Sequence, residues 1–162
     1  MILTIYTWIH VAISLVGIFS GLVVMFGLLG GKRLDGWTSL FLVTTVATSA
    51  TGFFFPFHGF KPSYVVGALS LVLLAIAIYA RYSRHLAGAS RITYVITAMI
   101  SLWFNCFVGI VQAYKNVPAL HALAPTQTEQ PFKLTQLTVL SLFVVLTIVA
   151  AIKFHPKPAA QA

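Results

Sequence analysis

From residue 2 to residue 31 the chain has no Asp, Glu, Lys or Arg. A helix of that length, at about 1.5 Å per residue, exceeds the roughly 30 Å hydrocarbon core of a bilayer. Four more apolar runs follow, over 37–57, 64–80, 92–114 and 134–152, and most of the charge lies in the connections between them. In lipid, a spanning segment must satisfy its own backbone polar groups, which favours helices. The pattern predicts an all-α bundle of five transmembrane helices, the first over 2–29. Residues 1–153 then form one transmembrane domain and 154–162 a flexible cytoplasmic tail.

Composition supports lipid as the solvent. Hydrophobic residues make up 59 % of the 162 and charged residues 7 %, against roughly 25 % charged in soluble domains. A chain this short cannot hide so much apolar surface in a water-soluble core. The net charge of +8 would suit nucleic acid, but the basic residues flank apolar runs, as membrane topology places them. No nucleic-acid partner is expected. The partners this surface implies are the bilayer, a membrane-protein subunit or a further copy of the chain. The first run lacks the basic start and short apolar centre of a signal peptide, so it reads as a retained span. The single Cys106 permits no intrachain disulfide and no thiolate metal cluster.

The second run is unusual in its hydroxyls. Thr44, Thr48 and Thr51 form one helical stripe, and Thr45, Ser49 and Gly52 the next. Such hydroxyls either bond back to carbonyls one turn earlier or face a polar interior. In the first run Thr7, His10, Ser14, Gly17 and Gly21 share a face, and Gly17 with Gly21 makes a GxxxG that admits a neighbouring backbone. In the fourth, Thr97, Ser101, Asn105, Gly109 and Gln112 recur at helical steps. Asn105 lies near the middle of its span, so it must face the bundle. The connection 115–133 is the long one. Asn116 is expected to cap a short interfacial helix stopped by Pro125, and Pro131 to open the last helix.

Orientation follows from Lys and Arg. With five spans, Lys32, Arg33, Arg81, Arg84, Arg91, Lys153 and Lys157 fall on one side; Lys61, Lys115 and Lys133 fall on the other. The positive-inside rule makes the richer side cytoplasmic, giving N-out and C-in. Trp8, Phe53, Tyr64 and Tyr114 then belong to an outer aromatic belt. Trp37, Tyr79, Tyr82 and Tyr94 belong to an inner one.

His10 is the histidine inside a span, and an intramembrane ionisable residue is a functional candidate. The candidate ligand-binding set is His10, Ser14, Thr48, Thr51, Asn105 and Gln112, contacting a small amphiphile such as a lipid or quinone. The other reading is a redox or metal site on the outer side. There His10, His58, His121 and Glu129 would hold haem iron, copper or zinc, though no HxxxH, HxH or CxxCH spacing is present. No cofactor is the leading expectation. Asp35 and Glu129 are the chain's two acidic residues and neither lies in a predicted span, which disfavours a cation-coupled carrier. GxSxG and HExxH are absent. The sequence therefore reads as a non-enzymatic membrane protein that binds a small hydrophobic ligand or a partner subunit.

The segments SATGFFFPF and VPALHALAPTQ, set among these spans, resemble those of small multi-pass proteins of bacterial inner membranes. The resemblance implies a location and carries no activity.

Overall fold

The computed structural model describes residues 2–55 and 62–156. Among the described residues six α-helices appear: α1 (Ile2–Leu29), α2 (Asp35–Gly52), α3 (Pro62–Ile78), α4 (Ala89–Asn116), α5 (Pro118–Leu123) and α6 (Gln130–Lys153). Among the described residues there is no strand. A π-helical turn, Tyr79–Ser83, continues α3.

Four stretches are long and apolar enough to cross a membrane: α1, α3 with its π turn, α4 and α6. Five were expected, and the second run is the one that falls short. α2 is helical over 18 residues, but Asp35 and seven hydroxyl residues dilute its apolar content. It doubles back along α1: Thr51 lies beside Tyr6 near one end, and Phe41 faces Gly21 further along.

Several boundaries also move outward from the apolar runs. α4 begins at Ala89 and ends at Asn116, and α6 begins at Gln130. Polar first and last turns are helical because tertiary contacts, not hydropathy, decide them. Pro131 sits in the first turn of α6 as expected. Asn116 does not cap α5; it is the last residue of α4, its amide donates to the Gln112 carbonyl (2.8 Å), and Val117 takes the cap position. Phe154, assigned to the tail, is fully buried.

α4 is the central helix, packing against α1, α3, α5 and α6. The core runs through Val24, Met25, Leu28, Phe41, Leu74, Tyr94, Met99 and Leu102. Outward faces carry large apolar residues, including Phe19, Phe26, Val72, Leu137, Val145 and Ile152. In water such surface would aggregate; in lipid it is solvated.

The small-residue face of α1 is where backbones approach. A Cβ on Gly21 would overlap Leu102 and come within 2.9 Å of the Phe41 ring. One on Gly17 would lie 3.1 Å from Asn105 Nδ2 and 3.3 Å from the Thr44 and Thr45 hydroxyls. The missing side chains let α2 and α4 close on α1.

Candidate functional site

Two polar centres stand out in the apolar bundle, one towards each end.

The first joins α1 to the end of α2. Thr51 has a single hydroxyl proton, and it goes to the Ala47 carbonyl (2.6 Å). Its oxygen can then only accept from His10 Nδ1 (2.8 Å). In the neutral ring the proton is therefore on Nδ1, and Nε2 keeps its lone pair. The Tyr6 hydroxyl donates to the Thr51 carbonyl (2.5 Å). The Phe55 ring meets His10 and Tyr6 edge-on, at centroid separations of 5.1 and 4.9 Å. His10, Tyr6 and Phe55 are each half-buried, so this end opens outward from the bundle.

One and two turns along α2 come Thr48 and Thr45. Their hydroxyl oxygens are buried without a hydrogen-bond partner among the described residues. Asn105 reaches the same strip from α4 and is 9 % exposed, as expected for an amide forced to face the bundle. Its Nδ2 is also without a partner there. The strip thus ends in acceptor and donor groups that lipid tails cannot satisfy, each unmet group costing about 1–3 kcal/mol.

The other expected members of this set make bonds within their own helices. The Ser14 hydroxyl bonds back to the His10 carbonyl (2.7 Å) and serves its own helix. Gln112 is exposed and contacts Asn116 (3.2 Å). Thr44 likewise bonds back, to the Leu40 carbonyl (2.7 Å). The hydroxyls of α2 are therefore split between helix-internal bonds and the interior.

His10, His121 and Glu129 are not drawn together. No group of three His, Cys, Asp or Glu residues is close enough to hold a metal among the described residues. His58 lies outside the described residues. His121 is exposed on α5. Glu129 instead closes the turn before α6, accepting from Thr126 Oγ1 (2.8 Å), Thr126 N (3.2 Å) and Thr128 N (3.0 Å). Slight desolvation raises its pKa, but these hydrogen bonds outweigh it and the carboxyl falls below its ordinary value.

The second centre was not foreseen. Arg81 reads in the sequence as part of a basic loop, yet its side chain is fully buried. The π turn widens the last turn of α3 and carries Arg81 inward. Its Nη2 donates to the Asp35 carboxylate and to the Arg33 carbonyl. The Arg33 Nε also donates to Asp35, at 3.2 Å. The Arg81 guanidinium lies 5.1 Å from the centre of the Tyr94 ring, within cation–π range. Tyr94, expected in an aromatic belt, is fully buried against it. The Tyr94 hydroxyl sits beside Thr38 and Arg81 without a well-formed bond to either. Arg81 Nε and Nη1 are buried with no partner among the described residues.

Nearby, Arg91 ties α4 to the end of α6, with Nη1 donating to the carbonyls of Ala151 (2.8 Å) and Phe154 (2.6 Å). A sequence signal for Arg81 was present: an arginine directly after an apolar run, with Asp35 as the one aspartate available to pair it.

These four apolar helices and their polar interior are compatible with a multi-pass helical membrane protein. Comparison with family models, curated proteins and solved structures yields no match to this chain.

Proposed function

We propose that the protein is a non-enzymatic membrane protein that binds a small amphiphile, of the lipid or quinone class, at the strip between α1, α2 and α4. The observation that supports this is Asn105 Nδ2, buried in an apolar bundle with no hydrogen-bond partner among the described residues. Nearby, the Thr45 and Thr48 hydroxyls are also without a partner among the described residues, and His10 Nε2 offers an acceptor at the half-buried end. A lipid head group can supply a carbonyl to accept from Asn105 and a hydroxyl to donate to a threonine or to His10, and a quinone can supply the carbonyl. Tyr6 and Phe55 frame the entrance.

The gathering of Arg33, Arg81 and Arg91 at one end supports an orientation. By the positive-inside rule that end faces the cytoplasm, the start of α1 lies outside, and α5 lies on the outer surface. The resemblance noted above favours a bacterial inner membrane.

The test is mass spectrometry of organic extracts from purified wild type, Asn105→Leu and His10→Gln. A small amphiphile should co-purify with wild type and be depleted in Asn105→Leu at unchanged helicity. If no such molecule co-purifies, and Asn105→Leu melts at or above the wild-type temperature, the strip is packing and the reading falls.

A further inference from the structure

We propose that Arg81, with Arg33 beside it, forms a binding site for a phosphate group at the basic end of the bundle, independent of the strip near His10. Charge is the first argument. Two guanidinium groups share one carboxylate, that of Asp35: the fully buried Arg81 pairs with it closely and the partly exposed Arg33 more loosely. One positive charge is left over at the rim of the buried group, on Arg33, where a second anion is favoured.

Donor count is the second. Arg81 Nη2 is used twice, but Nε and Nη1 are buried without a well-formed hydrogen bond among the described residues. That leaves three N–H donors on one guanidinium without a well-formed acceptor among those residues, with the Tyr94 hydroxyl beside them. A phosphate offers several charged oxygens and suits the planar donor fork of arginine.

Position is the third. The Asp35 side chain is 67 % exposed, so the buried guanidinium lies one residue deep from the surface. Trp37, Tyr79 and Tyr82 are exposed around it, the residue types that sit at lipid head-group level. The phosphate can be that of an anionic phospholipid or free in solution, and the two sources are separable.

The experiment uses the full chain in detergent, stripped of lipid, with melting followed at constant ionic strength set by chloride. Phosphatidylglycerol, phosphatidylcholine and inorganic phosphate are the probes. Phosphatidylglycerol should raise the wild-type melting temperature by about 5 °C at saturation, and phosphatidylcholine by much less. Arg33→Gln removes the surplus charge without touching the buried residue and should abolish at least half of the shift. Asp35→Asn enlarges the surplus and should increase the shift, even if its own baseline is lower. The same variant pattern with inorganic phosphate alone would assign the site to the free anion. A wild-type shift that is absent, equal for both lipids, or unchanged in Arg33→Gln would overturn the proposal and leave Arg81 to internal water.

Discussion

His10 and Thr51 are 41 residues apart in sequence and joined by a 2.8 Å hydrogen bond whose direction is fixed, because the Thr51 proton is already given to Ala47. With the Tyr6–Thr51 bond, it fastens the first half of α1 to the end of α2. His10→Gln keeps a donor at that position and should fold like wild type. His10→Leu should lower stability by roughly 0.6–2 kcal/mol. Melting curves of the two variants in detergent decide the point: equal stability would mean that the bond contributes nothing.

Gly21→Leu should be the more damaging change. A branched side chain there must displace both Leu102 and the Phe41 ring. Overpacking of this kind costs about 1–3 kcal/mol. Leu15→Ala, on the exposed side of the same helix, should stay within about 0.5 kcal/mol of wild type. A melting assay that ranks the two alike would show that α1 packs through another face.

Arg91→Met should loosen the end of α6. It removes charged donors from two carbonyls, at about 1.5–3 kcal/mol for a hydrogen bond to a charged group. Limited proteolysis from the C-terminal side should then cut α6 faster than in wild type. An unchanged cleavage pattern would place the anchor of α6 elsewhere.

The turn before α6 should respond to acid through Glu129. Its folded pKa is depressed below 4.5, so its bonds to Thr126 and Thr128 are intact above that value. They are lost as pH falls through the lower, folded pKa. Protection of the Thr126 and Thr128 amides, taken relative to their intrinsic exchange, should therefore fall in acid in wild type. In Glu129→Gln, whose amide oxygen accepts at every pH, protection should be weaker and independent of pH. Protection that still falls in acid in the variant would contradict this.

Topology is checked by labelling. In a Cys106→Ala background, the thiol introduced by Thr126→Cys should react with an impermeant reagent added outside intact cells. Reaction confined to inverted vesicles would reverse the proposed orientation.

The apolar runs, the GxxxG approach of Gly17 and Gly21, the inward turn of Asn105 and the opening of α6 at Pro131 were legible because each depends on neighbours within a turn or two. α2 was expected as a fifth span, but its seven hydroxyls and Asp35 leave it less apolar than the four helices long and apolar enough to cross a membrane. Arg81 was not legible as a buried group. Its burial depends on a π turn and on Asp35, 46 residues earlier. Tyr94 was placed in a belt for the same reason, since only the guanidinium over its ring makes it core. At the candidate site, His10, Thr48, Thr51 and Asn105 share a strip, whereas the Ser14 hydroxyl turns back to its own helix and Gln112 is exposed. Periodicity assigns a face and cannot say whether a hydroxyl turns back to its own backbone.

The bond from Arg91 to Phe154 also has a temporal side. Its acceptor is made 63 residues after the donor. While the chain is being synthesised and inserted, α1 to α4 can assemble with Arg91 still waiting at the membrane surface. α6 is the segment that ends the wait, and its arrival latches the bundle. A chain that stops before Ala151 would keep most of its helices but leave the Arg91 guanidinium without these two acceptors.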